Sequence, residues 1–311
     1  MSSGRVVERR RHSFLVESVI RLVKEKPLGT VGAVITMILL FAGIFANFLA
    51  PYGMNEPNGD ALLAAPSARF WMGTDNLGRD IFSRVIFGAR VSVIVGLAAT
   101  SLCVAINLII GVLCGYIGGN FDLIVQRVVD AVMCLPSLIL LMVLMSLVGS
   151  GMMPLIILIG ITWGISGSRL IRSTVISIKE NVYITAAVAI GCPTRRILTR
   201  HILPNIMAPT IVLFTTLVPG IIMTEASLSF LGFGVPPPNP SWGGMLSGNA
   251  RSYMFDAPWM AIWPGFALAV AVYGINMFGD ALRDILDPRL RGGAGRYKMK
   301  LKRSHKGESI S

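Results

Sequence analysis

Long apolar runs separated by short polar segments form the dominant pattern of the chain. A run of about 20 apolar residues is long enough to cross a bilayer as a helix, and in lipid a helix satisfies its own backbone N–H and C=O groups. Six runs approach this length: 31–50, 91–117, 128–148, 152–167, 206–223 and 258–281. The pattern predicts an all-α, polytopic membrane protein with six transmembrane helices.

Prolines in the third and fifth predicted helices bear on their geometry. Pro136 lies in the third, and Pro209 and Pro219 lie in the fifth. Because proline removes a helical hydrogen bond and its ring clashes with the preceding turn, we expect the fifth helix to be kinked or broken. Leu203-Pro204, just before it, is a favourable helix start because the first turn does not use the missing N–H.

Composition supports the membrane assignment. The chain is 53% hydrophobic and only 14% charged, with a mean hydropathy of +0.68, values typical of membrane proteins. The first apolar run is too long for the core of a cleavable signal and lacks a small-x-small site near its end. We therefore expect it to remain as a membrane anchor.

Lysine and arginine predict the orientation, because positive residues near helix ends tend to stay in the cytoplasm. With both termini inside, the inner segments are 1–30, 118–127, 168–205 and 282–311, which hold 7, 1, 6 and 9 of the 28 Lys and Arg residues, or 23 together. The net charge of +12 is thus explained by topology and anionic lipid rather than by nucleic acid.

The inner loop before the fifth helix has features of a surface that docks another protein. Ala186 and Ala187 put small side chains on a short helix, so that a partner surface can approach closely. Gly191 tolerates a positive φ and Pro193 prevents helix continuation, so a sharp turn should precede a second, basic helix. That helix carries Arg195, Arg196, Arg200 and His201. The alternative is an ordinary basic linker, since positive residues collect on the inner side in any case.

Four motifs in order resemble those of permeases in the dipeptide, oligopeptide and nickel ABC importer family. They are GTDNLGRDIFSR (73–84), TAA (185–187) with Gly191 and HILP (201–204), EASLSFLGFG (225–234), and GDALRDILDP (279–288). Thr185 and His201 replace the Glu and Ile of the family's coupling pattern, so a charge pair between that Glu and the ATPase is not carried over. The chain is identified as a member of this family, of the C-type permease of its peptide systems.

The resemblance implies a type I ABC importer permease in a bacterial inner membrane. It implies five parts: a basic cytoplasmic segment (1–30), the first transmembrane helix (31–50), a periplasmic loop (51–90), a five-helix core (91–282) with a cytoplasmic coupling loop (177–205), and a basic cytoplasmic tail (283–311). The residues expected to couple to the ATPases are Thr185, Ala186, Ala187, Gly191, Arg195, Arg196, His201, Leu203 and Pro204.

The family also implies the partners: a second permease subunit, two cytoplasmic ATPases and a periplasmic binding protein that delivers di- or oligopeptides. The chain lacks a Gly-x-x-x-x-Gly-Lys-Ser/Thr loop, which nucleotide-binding subunits use to hold phosphates. We therefore expect no cofactor, metal or enzymatic activity in this chain, with ATP and Mg²⁺ bound by the partner ATPases.

Glu225 is the acidic residue expected in the pathway or its gate, together with Ser227 of the same motif. A carboxylate at membrane depth costs about 2–3 kcal/mol on insertion scales and usually has a function. The structural alternative is a hydrated carboxylate near the outer end of its helix. The segments 73–84 and 236–242 could meet the binding protein outside, or they could form stiff loops with no partner.

Charged residues at two inner helix ends are expected to fix those ends. Arg127 and Asp130 are spaced as an i, i+3 pair at the third helix. Asp280, Arg283 and Asp284 invite the same interpretation at the sixth.

Other functions remain open at the level of the sequence. Nickel, glutathione or opine-like compounds are alternative substrates, although no cluster of His, Cys or Asp along a predicted helix favours a metal. An ion-coupled carrier is less favoured because the loop is shaped for docking, and a structural scaffold is a further class. The motif GISG (164–167) resembles that of rhomboid proteases, but all three histidines (His12, His201 and His305) are predicted to be cytoplasmic, too far to activate its serine.

Overall fold

The computed structural model describes residues 22–286. The predictions for the rest of the two basic ends, residues 1–21 and 287–311, lie outside the described residues. The helices are α1 (Pro27–Ile44), α2 (Ala46–Leu49), α3 (Ile81–Ile117), α4 (Gly119–Cys134), α5 (Ser137–Val148), α6 (Met152–Lys179), α7 (Val182–Ala189), α8 (Thr194–Ile197), α9 (Leu203–Phe230), α10 (Trp242–Leu246), α11 (Asn249–Ser252) and α12 (Trp259–Leu286). A helical stretch at 22–25, a 3-10 turn at Gly59–Ala61 and a π-helical turn at Leu198–Ile202 complete the regular structure of this part, which contains no β-strand.

Five helical stretches in the described part are long and apolar enough to cross a membrane. They are Pro27–Ile44, Ile81–Ile117, Met152–Lys179, Thr194–Phe230 and Trp259–Ile285. A sixth span is present if the bent pair α4 and α5 is counted as one. The all-α architecture and the six predicted spans are confirmed with that pair in third place.

The third predicted helix is broken rather than straight. The axes of α4 and α5 differ by 91°, and the break falls at Leu135 and Pro136. Leu135 adopts an extended backbone, with φ −91° and ψ 135°, because the ring of the following proline disfavours the helical conformation there. Pro136 therefore causes the break. The sequence analysis had expected a kink or break in the fifth helix instead.

The fifth helix runs unbroken through both of its prolines. Pro219 leaves the carbonyl of Thr215 without its helical donor, because a proline has no N–H to offer the residue four positions earlier. A Cβ at Gly279 of α12 would lie only 3.2 Å from that carbonyl oxygen. The close approach of α12 therefore covers the group that the proline leaves unpaired.

The second, fourth and fifth helices are longer than the sequence predicted. The second helix begins at Ile81 rather than Val91, the fourth continues to Lys179 rather than residue 167, and the fifth span is helical from Thr194. A count of apolar residues detects only the part of a helix that lies in lipid. The second and fourth helices extend beyond it at one end and the fifth at both ends, where polar side chains are tolerated.

Small residues allow α3 and α6 to pack closely along their length. A Cβ at Gly111 would lie 2.7 Å from the Cβ of Ile171, and a Cβ at Gly164 would lie 2.7 Å from that of Ile106. Small residues at helix contacts are typical of membrane proteins, where packing rather than water exclusion drives association. Gly164 of the protease-like motif thus has a packing role, and the Ser166 hydroxyl donates to the Thr162 carbonyl of its own helix.

The two polar ends of the bundle lie at opposite ends of α3. Near its start, Ile81 packs with Ala250 and Met260 in a cluster of the segments predicted to lie outside, here called the outer segments. Near its end, Val112 packs with Ile184 of α7. At 1.5 Å per residue, Ile81 and Val112 are about 45 Å apart along the helix. The segment around α7 is therefore separated from the outer segments by the full thickness of the bundle.

Candidate functional site

The turn at Gly191 has the geometry that the sequence predicts. Gly191 has φ +75° and follows the end of α7, while Pro193 precedes the first residue of α8. The N–H of Gly191 donates to the Val188 carbonyl at 2.9 Å, and the N–H of Cys192 donates to the Ala187 carbonyl at 3.0 Å. These two bonds form a Schellman motif, which requires a left-handed residue at the position of Gly191.

Isoleucines fix this segment to the transmembrane bundle. Four of them point inward with at most 1% of their surface exposed, and they pack against Val112 of α3 and Ile171 and Val175 of α6. The four are Ile184, Ile197, Ile202 and Ile206. Because this cluster includes residues from α7, the π-helical turn and both neighbouring spans, the segment can transmit a displacement to the bundle.

The opposite face of the segment is apolar and exposed. Val182 is 82% exposed, Ile190 84% and Val188 55%. Of the two alanines predicted to contact a partner, Ala186 is exposed but Ala187 packs inward at 9%. The exposed side chains lie at both ends of α7, so α7 presents an apolar face away from the bundle. We call α7, its turn and α8 the coupling segment, after the role that the sequence predicts for it.

The other predicted coupling residues surround this face. Thr185, Arg195, Arg196 and Pro204 are exposed, and His201 and Leu203 are partly buried. The His201 ring lies 6.2 Å from the ring of Tyr183, which connects the π-helical turn to α7. His201 therefore has a structural contact in place of the aliphatic packing expected of the family's Ile.

Glu225 is completely buried, with no exposed surface. Its Oε1 accepts a hydrogen bond of 2.7 Å from the Ser229 hydroxyl, and the hydroxyls of Ser92 and Ser241 also lie near the carboxyl. Its Oε2 accepts no hydrogen bond within the described part of the chain. The carboxyl is therefore shielded from bulk solvent.

Ser227 does not contact Glu225. Its hydroxyl donates to the Met223 carbonyl at 2.8 Å, so it faces away along its own helix. The residue that pairs with Glu225 is Ser229, because residues four apart share a helix face whereas residues two apart do not. Helical spacing could have identified Ser229 from the sequence, but nothing local could have identified Ser92 or Ser241.

The first outer motif folds into a compact turn before α3. Asp75 Oδ1 accepts from the backbone N–H groups of Leu77 and Arg79, both at 2.9 Å, and its Oδ2 accepts from Arg79 Nε at 2.7 Å. Asp80 caps α3 by accepting from the Ser83 N–H at 2.8 Å. The alternating acidic and basic residues of the motif are thus explained by its own hydrogen bonds.

The second outer motif, residues 236–242, packs against α3, the helix that follows the first outer motif. The Trp242 side chain is 2% exposed, and its Nε1 donates to the Val85 carbonyl at 3.0 Å. A Cβ at Gly88 would lie 2.8 Å from the Trp242 ring. Together the motifs surround a cavity of about 350 Å³ whose lining includes Arg79 and Ser241.

Two ion pairs join the bent helix α4 to α6. Arg172 Nε donates to Asp122 Oδ1 at 2.6 Å, with a second bond from its Nη2 to Oδ2, and Arg169 pairs with Asp130. The predicted contact of Arg127 with Asp130 is confirmed at 3.3 Å, but the partners on α6 were missed. No spacing in the sequence signals them, because the two acids lie eight residues apart on α4 and the two arginines three apart on α6.

At the other inner helix end, Asp284 pairs with Lys26 Nζ at 2.6 Å. This contact fixes the end of α12 to the residue preceding α1, so an acidic residue of the sixth helix does hold its inner end.

We expect Asp122 and Arg172 to depend on each other energetically. Asp122→Asn leaves Arg172 without its partner at 30% side-chain exposure, and Arg172→Gln leaves Asp122 without its partner at 13%, each at a cost of about 1–3 kcal/mol. The double variant should lose less than the sum of the two. The thermal midpoint of the purified membrane complex measures this, and Arg127→Gln, whose side chain is 73% exposed, should change it little. Strict additivity would contradict the pairing.

These features define a class: a polytopic membrane subunit whose spans end in a rigid apolar surface on one side and in a folded cap with a cavity on the other. The chain belongs to the family described as binding-protein-dependent transport system inner membrane component, whose pattern matches residues 107–292. The matched part begins inside α3 and includes the coupling segment and Glu225. The family membership expected from the motifs is confirmed.

Several named relatives match most of the chain. The dipeptide transport system permease protein DppC of Alkalihalophilus pseudofirmus is 39% identical over 269 residues, which cover 86% of this chain and 88% of that protein. The oligopeptide transport system permease protein OppC of Bacillus subtilis is 37% identical over 285 residues, covering 92% and 93%. The glutathione transport system permease protein GsiD of Escherichia coli is 37% identical over 273 residues, covering 88% and 90%.

Proposed function

We propose that this chain forms half of the transmembrane pathway of an ATP-driven importer for di- or oligopeptides. The observation that carries the proposal is the coupling segment: a docking surface fixed to the inner ends of two spans. The names of the relatives support peptides as the substrate class, since they include dipeptide and oligopeptide permeases. A glutathione permease of similar identity makes glutathione the second candidate within the same mechanism.

The proposed mechanism follows from how the coupling segment continues into the spans. α6 ends at Lys179 and α7 begins at Val182, while α8 leads through the π-helical turn into α9 without a break. Closure of the ATPases would displace the coupling segment, and these helices would carry the displacement across the membrane as alternating access. The ion pairs of α4 with α6 would make the bent helix follow.

In the proposed orientation the coupling segment and both termini are cytoplasmic. The positive residues of the inner segments support this, because Lys and Arg near helix ends are retained inside. The outer cap, built from the segments that precede α3 and α10, would then face the periplasm and the binding protein. Anionic lipid would surround the basic ends of the spans.

The proposed assembly contains this chain, a second permease, two cytoplasmic ATPases and a periplasmic binding protein. ATP and Mg²⁺ would bind to the ATPases alone, and this chain would hold no cofactor and catalyse no reaction. Glu225 of α9 would act in gating through its contact with Ser92 of α3, because this contact changes if the two helices move apart.

The test of the docking surface replaces Ile190 by Asp. Its side chain is 84% exposed, so the change leaves the fold of this chain intact but places a charge in an apolar interface. We expect at least about tenfold weaker association of the ATPases, because burial of such a side chain is worth about 1.5–3 kcal/mol. Copurification from membranes at graded ATPase concentration measures it.

The matched control is Phe255→Asp, a change of an equally exposed apolar residue, at 90%, on the outer side of the bundle. It should leave ATPase association unchanged. Equal effects of the two changes, or none of either, would remove the support for the docking surface.

A further inference from the structure

The cavity under the outer cap combines segments that are far apart in the sequence. The turn that precedes α3, the end of α9 and the loop before α10 all line it. Its volume of about 350 Å³ falls within the range of small-molecule sites, roughly 300–1,000 Å³. The cavity belongs to this chain alone and needs no partner subunit to form.

The charge of the lining is unbalanced. It contains two basic side chains, Arg79 and Arg84, and one acidic side chain, Asp75. Both arginines face the same oxygen of Asp75, with Arg79 Nε at 2.7 Å and Arg84 Nε at 3.9 Å from Oδ2. Arg84 is held by the Met54 carbonyl at 2.9 Å and by Asn55 Oδ1 at 3.1 Å. Because Asp75 compensates only one cation, the lining has a net charge of +1.

Arg79 is the basic residue with donors to spare. Its backbone N–H and its Nε both donate to Asp75, and within the described residues its two terminal nitrogens have no protein acceptor. Both oxygens of Asp75 are already occupied by hydrogen bonds. A guanidinium with two free, parallel donors is the group that best matches a carboxylate.

The same cavity also has groups that suit a cation. Ser229 and Ser241 also line it, and both lie beside the buried carboxyl of Glu225, whose Oε2 accepts no hydrogen bond within the described part of the chain. A peptide with free termini carries one group for each polarity. An acidic side chain of a docking protein carries only the negative one, so a peptide is the better match.

We propose that this cavity binds a short peptide in transit, with the terminal carboxylate on Arg79 and the ammonium group toward Ser229 and Ser241. The proposal rests on the proposed function in peptide import and adds a binding site within the permease itself. Substrate would thus contact this chain after it leaves the binding protein.

The test uses the assembled importer in detergent, without binding protein, and the probes Ala-Ala-Ala and its C-terminal amide. Saturation-transfer NMR should show binding of the free acid at least about tenfold tighter than that of the amide, the usual effect of a charge-assisted hydrogen bond. Arg79→Gln should remove this preference, and Arg79→Lys should restore part of it. Equal binding of acid and amide to the wild type would overturn the proposal.

A second variant acts without touching the turn. Asn239 lines the cavity and is exposed, so Asn239→Asp adds a negative charge and should weaken binding of the free acid about tenfold. Arg69→Gln, an exposed arginine of the same outer segment that lies outside this cavity, is the matched control. If these cavity variants weaken association of the binding protein but not of Ala-Ala-Ala, the site belongs to that protein and the proposal is overturned.

Peptide uptake by wild-type vesicles with binding protein and ATP separates the two hypotheses. If the wild type does not transport alanine peptides, the proposed function fails. If it transports them but binds acid and amide equally, only the cavity site fails.

Discussion

Replacing Gly191 by Pro should reduce peptide uptake at least about a hundredfold. Gly191 has φ +75°, and proline is restricted to about −65°, so the turn after α7 cannot form as it is. Proline also lacks the N–H that bonds to the Val188 carbonyl at 2.9 Å. A rearrangement costing about 3 kcal/mol leaves roughly one molecule in a hundred with the docking surface in place.

The measurement is uptake together with binding-protein-stimulated ATP hydrolysis in vesicles, with assembly checked by copurification. Gly191→Asn is the matched control, because asparagine tolerates the left-handed conformation and no atom lies within 4 Å of a Cβ at this position. It should retain most of the activity. A Gly191→Pro complex that transports as well as wild type would show that coupling does not depend on this turn.

The sequence predicted the number of spans because lipid makes apolar run length informative. It failed where helices leave the lipid. The first ten residues of α3 include Arg84 and Arg90, which disqualified them from an apolar run. In the structure Arg90 Nε donates to the Gly43 carbonyl at 2.9 Å, at the end of α1. From composition alone, an arginine that donates a hydrogen bond to the end of another helix cannot be distinguished from an arginine in a loop.

The candidate sites also differ in how much of each could be predicted from the sequence. The turn at Gly191 and Pro193 depends on local backbone preferences, so the sequence was sufficient to predict it. The surroundings of Glu225 depend on packing between α3, α9 and the segment before α10. Only Ser229, one helical turn away, could have been found from spacing. The sequence singled out both outer motifs, but nothing in it predicted that tertiary packing brings them around one cavity.

Replacing Gly78 by Ala should unfold the outer cap. Gly78 has φ +73°, and a Cβ there would lie 2.1 Å from the Asn58 carbonyl oxygen. That atom is backbone, so the turn or the segment around Asn58 must move. The left-handed strain alone costs about 1–3 kcal/mol, and the clash adds to it. Asp75 and Asp80, which hold the turn and cap α3, would lose their positions.

Gly59→Ala is the matched control, in the same outer segment but with no atom within 4 Å of the new Cβ. Limited proteolysis of vesicles from the outer side should cut the 51–80 segment of the Gly78→Ala protein rapidly and leave wild type and Gly59→Ala intact. Binding-protein-stimulated ATP hydrolysis should fall with the cap, while ATPase association, about 45 Å away along α3, should persist. A resistant Gly78→Ala protein would mean that the turn is not rigid, and loss of ATPase association would mean that the two ends of the bundle fold as one unit.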